Sequence, residues 1–302
     1  MLRVTKAPAY ATVQDTGRTG FMASGVSRTG AMDLPALLTL NIMLGNEPGC
    51  AAIELALSGG EIEFESSATF AVGGAATELT LSGREIPLWQ AHHAAKGDTL
   101  SIAAPRDGRF VYLAFSGGID VPVILKSRST YLPARLGGLE GRRLKTGDTL
   151  GLLGTTRKQR HQVSDVLPEN FRPPRHITTV RFIQRDSCEL AGEFTVTSTS
   201  DRTGYRIDSP TPLEGDSILS QPVCAGVIQI PPDGHPIVLT ADAPTSGGYR
   251  IGGAVISADL GALAQRTSGQ TITFQSVTVY EAQKLFEGVS DKLESVREWR
   301  LA

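Results

Sequence analysis

Between Gly226 and Ile256 the chain reads GVIQIPPDGHPIVLTADAPTSGGYRIGGAVI, three apolar runs separated by two clusters of breaker residues. Residues 227–230 and 237–240 are apolar and β-branched, the composition of strands. Pro231-Pro232-Asp233-Gly234 between them presets φ at the prolines and offers a glycine for the φ > 0 of a tight reversal. The second cluster, residues 242–249, predicts a tight bend before a third run at 254–256. Each run is too short for a helix, so the stretch must pair its strands with neighbours. Gly247 and Gly248 leave room for a ligand beside the backbone, and Thr245 and Ser246 set hydroxyls beside amide donors. The same residues serve equally well as a plain bend.

The rest of the chain repeats this punctuation. Gly (33) and Pro (17) make up about a sixth of 302 residues and aromatics only 6%, a composition of short strands and turns. Strands are predicted over 2–6, 52–57, 61–65, 69–72, 78–81, 99–103, 110–115, 149–152, 179–183, 194–197 and 271–279. A helix is predicted over 34–44, capped by Asp33 with Pro35 in its first turn and stopped by Gly45-Asn46; Leu34, Leu37, Leu38, Asn41 and Ile42 would share one face. A second, short helix is expected over 257–265. Leu285, Val289, Leu293, Val296 and Trp299 recur at helical spacing in the tail, a docking stripe. The phrase KGDTL at 96–100 returns as TGDTL at 146–150 and, degraded, as SGQTI at 268–272, each a turn feeding a strand. With a polar, proline-bearing linker at 155–178, this predicts two related β modules, 1–155 and 156–302, the second ending in the helix.

Charge is nearly balanced, 29 basic against 31 acidic residues, which excludes the strong field of a nucleic-acid or membrane-surface binder. No apolar run approaches the ~18 residues of a membrane span. The N-terminal MLRVTKAPAYATVQD lacks an apolar leader. Cys50, Cys188 and Cys224 are odd in number and widely spaced, so buried free thiols in a cytoplasmic protein are expected rather than a disulfide framework. There is no GxxxxGK[ST] loop, no GxSxG elbow and no HExxH helix.

Three constellations could carry chemistry. The polar, glycine-dense loop 13–33 holds Gln14, Asp15, Arg18 and Asp33, which could orient a polar substrate or pin the loop. Arg128 and Arg135, beside Gly117-Gly118 and Gly137-Gly138, could bind an anion through guanidinium and backbone N–H groups, or form an internal ion-pair network. Arg202-Thr-Gly-Tyr-Arg206 brings two more guanidiniums just before the Gly226–Ile256 stretch.

Taken together, VQDTGRTGF, SGVSRTGAMD, FSGGIDVP, SRSTY, LGGLEGRRLKTGD, DRTGYRI and QIPPDGHPIVLTAD with TSGGY resemble the allophanate hydrolase subunit 2 family, also called the biotin-dependent carboxyltransferase family. Its members include the C subunit of the prokaryotic 5-oxoprolinase and the antagonist of the kinase A inhibitor. The resemblance runs in order from the first strand to about Phe274. It implies a mainly β chain of tandem cyclophilin-like barrels with a few short helices. It implies part of an enzyme that opens the lactam of 5-oxo-L-proline to L-glutamate with ATP, working with A and B subunits of which the B subunit is cyclophilin-like too. Fused relatives imply an alternative, the carboxyltransferase component of a biotin-dependent urea or amide carboxylase. A regulatory chain that binds the B subunit without catalysis is a third reading.

Carried over position by position, the resemblance marks Asp15, Arg18, Arg202 and Tyr249 as catalytic. It marks Gln14, Asp33, Arg128, Tyr205, Arg206, Asp242, Thr245, Ser246, Gly247 and Gly248 as substrate-binding, with no metal, and adds weight to Asn41 and Glu54. The chain departs from the family at Asp201, where Asn is usual, at Ser246 and Arg250, where Thr and Pro are usual, and in a shortened segment around Gln184-Arg185-Asp186. These departures are expected to alter the pocket more than the core.

Overall fold

The computed structural model describes residues 1–154, 165–185 and 188–301. The module boundary at 155/156, the first ten residues of the linker and Asp186 lie outside the described residues. By proximity the chain divides into two compact units. Met1–Arg18, Asp33–Pro173 and Asp291–Ala302 make unit 1, and Thr19–Met32 with Pro174–Ser290 makes unit 2.

Unit 1 contains β1 (Leu2–Lys6), β2 (Ala11–Gln14), α1 (Leu34–Met43), β3 (Ala52–Ala56), β4 (Gly60–Phe64), β5 (Ala68–Ala76), β6 (Leu79–Leu81), β7 (Arg84–Ile86), β8 (Ala91–Ala94), β9 (Thr99–Ile102), β10 (Asp107–Phe115), β11 (Ile119–Asp120) and β12 (Thr149–Leu152). They form a seven-stranded sheet, β11-β12-β1-β4-β9-β6-β7, and a five-stranded sheet, β2-β3-β10-β5-β8. Alternate residues of the two sheets, among them Val4, Ile62 and Leu100 from one and Val13, Ile53 and Leu113 from the other, fuse into a single buried core. Phe64, Phe70 and Phe115 anchor it, with ring centroids 5.2 Å and 6.4 Å apart. Truncating one of these to Ala costs about 3–5 kcal/mol by cavity formation.

The opposite face of the five-stranded sheet is buried too, and mixes polar side chains with apolar ones such as Ala52, Ala71, Phe110 and Ala114. Registers place Thr12 beside Glu54, Glu54 beside Tyr112 and Tyr112 beside Gly73. Thr12, Glu54 and Tyr112 are fully buried. Gly73 has no side chain because the Trp89 ring occupies that space, 2.7 Å from where a Cβ would stand. Helix α1 packs against β5 and β10 and is buried nearly all round, Ala36, Thr39, Leu40 and Met43 included. The single apolar face expected of it is therefore too narrow a description.

The recurring phrase is one turn built three times. Gly97, Gly147 and Gly269 hold φ of +91°, +93° and +85°, where a side chain is strained. In each turn the next residue's side chain accepts an N–H from three residues back. Asp98 takes Ala95 N at 2.7 Å, Asp148 takes Lys145 N at 2.7 Å, and Gln270 takes Thr267 N at 2.9 Å.

Unit 2 contains β13 (Thr179–Gln184), β14 (Glu193–Val196), β15 (Gly204–Asp208), β16 (Ser217–Pro222), β17 (Val227–Ile230), β18 (Ile237–Leu239), β19 (Ser246–Val255), α2 (Ser257–Ala264) and β20 (Thr271–Ser276); the chain ends in α3 (Val279–Leu301). The sheet order is β13-β20-β14-β15-β18-β17-β19-β16, and an added pairing of β13 with β19 closes seven strands into a barrel. Strand β16 stays outside it, paired with β19 at Gly247 and Tyr249. Inside the barrel, Tyr205, Val238 and Ile228 are in register and fully buried.

The second breaker cluster makes the expected bend only in its first part, where Ala243 N donates to the Thr240 carbonyl at 2.9 Å. Ser246–Tyr249 open a ten-residue strand, β19, whose first half pairs with β16 and whose second half pairs with β17. Gly247 and Gly248 keep negative φ, so extended backbone, not reversal, is their state. Likewise the expected loop at 13–33 begins later, because Val13 and Gln14 belong to β2. In α3, Val296 is fully buried and Leu285, Val289, Leu293 and Trp299 are half-buried, the stripe the spacing predicts. Cys188 is buried, Cys50 half-buried and Cys224 exposed, none of them in a disulfide, so only one of the three fits the buried thiol expected. Among the described residues no helix is long and apolar enough to cross a membrane.

Candidate functional site

In unit 1 the marked residues gather where the 121–141 loop meets β2. The Asp15 carboxylate accepts Gly17 N at 2.8 Å, Ser127 Oγ at 2.6 Å, Ser129 Oγ at 2.5 Å and Arg128 N at 2.5 Å. Four donors saturate a carboxylate that is 5% exposed. Arg18, fully buried, donates from Nη2 to the Ser129 carbonyl. Gln14 donates from Nε2 to Thr12 Oγ1 at 3.0 Å and to the Thr130 carbonyl at 3.1 Å. These side chains bind loop to strand. The fold itself thus engages the Asp15 carboxylate and the Arg18 Nη2.

Arg128 differs. Its backbone is fixed by Asp15, yet among the described residues no carboxylate pairs with its guanidinium, and its buried Nε has no hydrogen-bond partner. A guanidinium without a carboxylate partner keeps its donors available to an anion. Cys50 lies within its field; burial pushes the Cys50 thiol up, and Arg128 opposes that rise.

Asp33 caps α1, accepting Ala36 N at 3.1 Å through Oδ1. Its own N–H donates to Tyr112 Oη at 2.7 Å, and Tyr112 Oη donates to Glu54 Oε2 at 2.7 Å. Burial first, then the neighbouring Glu54 and Asp33 charges, hold the Tyr112 phenol well above its ordinary pKa. Sequence reading missed Tyr112, which looks like one more aromatic in an apolar strand. Its register partner Glu54, an acid among Ile53 and Leu55, was the available signal.

In unit 2, Arg202 forms a two-point pair with Asp242, Nε to Oδ2 at 2.9 Å and Nη2 to Oδ1 at 2.8 Å, and Nη2 also donates to the Gly30 carbonyl at 2.7 Å. Both partners are buried. That pair fastens the 19–32 loop to the barrel, so Arg202 and Asp242 also hold structure. Tyr205 points into the barrel and donates to the Ala264 carbonyl at 2.5 Å. Asp201 accepts Thr203 N at 2.8 Å and Gly204 N at 3.2 Å through one oxygen. The Asn usual in the family has an equivalent oxygen there, so this departure preserves the turn. Arg250 donates from Nη1 to the Glu214 carbonyl at 2.6 Å, a contact no proline could make.

The barrel's outer face bears what remains. Arg206 and Tyr249 are exposed. Thr245 is half-buried and its carbonyl accepts Val223 N at 3.2 Å, while Ser246 is exposed. The space over Gly247 is taken by the Gln229 carboxamide, whose Nε2 lies 2.2 Å from where a Cβ would stand; at Gly248 the Ile218 carbonyl oxygen lies 3.2 Å from the corresponding point. The room these glycines provide is therefore filled by the protein itself. Among the described residues no His, Cys, Asp and Glu cluster could hold a metal.

A family model described as carboxyltransferase domain, subdomain A and B, matches residues 24–276. The chain is 36% identical to the 5-oxoprolinase C subunit of Haemophilus influenzae over 98% of each chain. It is 35% identical to the protein of the same name from Escherichia coli over 100% of this chain and 99% of that one. Urea amidolyase of Lachancea kluyveri is 30% identical over 99% of this chain, which spans only 18% of that protein. Among solved structures, Kluyveromyces lactis urea carboxylase is similar at a TM-score of 0.90 and 26% identity, with 99% of this chain and 29% of that chain covered.

Proposed function

The chain belongs to the carboxyltransferase domain family, subdomains A and B, and on that premise we propose that it is the C subunit of an ATP-dependent 5-oxoprolinase. The observation that carries this reading is end-to-end similarity, at 36% and 35% identity, to two proteins that bear that name. In the proposed reaction, A and B subunits act with this chain to open the lactam of 5-oxo-L-proline to L-glutamate, driven by ATP.

An amide opens only when its resonance is broken, and attaching an anion to it, or beside it, does so. The protein's share is to hold that anion and the substrate carboxylate while the tetrahedral centre forms. The cations left for that work are Arg128 and Arg206, since Arg18 and Arg202 are engaged by carbonyls and a carboxylate within the fold. Tyr249, exposed at the start of β19, offers a phenol outside the barrel interior. With no phosphate-cradling GxxxxGK[ST] loop in this chain, ATP is assigned to the partner subunits.

The test is glutamate release from 5-oxo-L-proline by this chain mixed with its A and B partners. Turnover that requires ATP and stops when this chain is left out supports the assignment. A well-assembled complex with no turnover overturns it. In that event biotin-dependent carboxyl transfer to an amide, the activity suggested by the name of the similar urea carboxylase, is the reading to test.

A further inference from the structure

Outside the barrel, β16 is exposed along its length, only Gln221 being half-buried. Its register with β19 sets Ser217 beside Tyr249, then Gln221 beside Gly247 and Pro222 beside Ser246. Ile218, Leu219 and Ser220 therefore stand opposite Gly248 alone, in a bulge. Gly248 permits it, because the Ile218 carbonyl oxygen and the Ser220 hydroxyl lie 3.2 and 3.6 Å from where its Cβ would stand. Bulges re-aim side chains, and the one at the crest here is Leu219. It is 93% exposed, more than any other large apolar side chain among the described residues. A lone exposed leucine is ordinary, but Ile218 and Tyr249, each 39% exposed, flank this one. Free sheet edges are commonly protected by charged side chains, and residues 217–222 carry none. Charge appears only at the two ends of the strand. At the start stands exposed Asp216, while Glu214 before it is paired with Arg250 at 3.2 Å. At the far end is exposed Arg185, which donates from Nη1 to Gln221 Oε1 at 3.4 Å.

We propose that β16 is the surface through which this chain pairs with a second copy of itself. A two-fold axis at Leu219 runs the two strands antiparallel, so the start of one meets the far end of the other. Asp216 of one copy then faces Arg185 of the second copy, twice per dimer, and the two Leu219 side chains pack together on the axis. A parallel contact would set like charges side by side. The bulge interrupts the hydrogen-bonding row of the edge, so side chains make the contact rather than a continuous sheet. Opposite charges at the two ends of an uncharged, apolar strand are what a second copy requires and an unrelated partner does not. The inference stands whether or not the chain is a 5-oxoprolinase subunit.

The experiment is sedimentation equilibrium of the full-length chain alone, from about 1 to about 100 µM at low salt, where a dimer of moderate affinity is populated. Wild type is expected to dimerise within that range. Leu219→Lys should weaken the dimer about a hundredfold, through lost apolar burial and like charges meeting on the axis. Asp216→Arg and Arg185→Asp should each weaken it about tenfold, and both changes in one chain should restore it to within about threefold of wild type. Thermal unfolding checks that these variants, all at exposed positions, are folded. Wild type that stays monomeric throughout overturns the proposal. So does a dimer that Leu219→Lys leaves intact, since its contact lies elsewhere, and so does a double reversal no tighter than either single change. The B partner is the competing occupant. If adding it shields from alkylation a thiol introduced by Leu219→Cys, in a chain also carrying Cys224→Ser, while copies of the chain alone leave it open, the surface belongs to that subunit and the proposal fails.

Discussion

Arg202 and Asp242 meet through two parallel hydrogen bonds of 2.9 and 2.8 Å, both side chains all but buried, and a third bond from the same guanidinium reaches Gly30. Removing one charge strands the other. Arg202→Ala is expected to lower stability by about 3–5 kcal/mol, read from urea unfolding at neutral pH. Arg202→Met with Asp242→Leu should recover most of that loss, because the double change leaves no orphan charge. If Arg202→Ala retained full stability while abolishing turnover, the structural role of the pair would be wrong.

Asp15 collects four donors, one of them the Arg128 backbone N–H. Asp15→Asn keeps the size but turns one carboxylate oxygen into an NH2 donor; with the amide oxygen kept on Gly17, Ser127 and Ser129, the Arg128 N–H then faces a donor. A cost of about 2–3 kcal/mol is expected, and amide hydrogen exchange should quicken at residues 127–129 before it quickens in β2. Uniform quickening across the sheet would contradict a local role.

Arg128 should behave oppositely. With no carboxylate partner among the described residues, Arg128→Gln is expected to leave stability within about 0.5 kcal/mol and to raise KM in the assembled complex. An unchanged KM would remove Arg128 from the site.

How much of this could be read in the chain depended on whether the signal was local. Apolar alternation located most strands, and Gly147 with Asp148 already spelled the turn that the structure repeats at Gly97 and Gly269. Asp33 as a cap was equally legible, because capping acts over three residues. The reading failed where meaning was non-local. Gly247-Gly248 looked like a bend because glycine pairs often make one, yet the space they leave belongs to Gln229 on another strand. The pairing of Arg202 with Asp242, forty residues away, is invisible to any local pattern. So is the choice of Tyr112 as the bridge between Asp33 and Glu54.

Acid stability offers a separate check at Asp148, whose carboxyl is held below its ordinary 3.8, chiefly by two hydrogen bonds from Arg142 at 2.6 and 2.9 Å. A depressed carboxylate stabilises the fold above its unfolded pKa and loses that contribution as pH falls through the lower folded value. Wild type should therefore exceed Asp148→Asn in stability at neutral pH. The gap should close as pH falls from about the ordinary carboxylate value downward. A gap that widened in acid would reverse the assignment.

Gly247→Ala places a methyl group where Gln229 Nε2 lies. Overpacking of this kind costs about 1–3 kcal/mol. Gln229→Ala should relieve it, so the two changes are expected to be non-additive in a double-mutant cycle read by thermal unfolding. Additive losses would mean that the amide and the glycine do not share the space.

Unit 2 draws residues 19–32 from one end of the chain and residues 174–290 from the other, and its Arg202 to Gly30 bond closes a loop of 172 residues. During synthesis the early loop therefore emerges long before its binding partner exists. The entropy of closing so long a loop grows only as the logarithm of its length, but folding slows as native contacts become more distant in sequence. On the ribosome, residues 19–32 must wait while more than half of the protein is made. Neither unit corresponds to one continuous piece of sequence, so an expression fragment cut at any single point deprives at least one of them of its own residues.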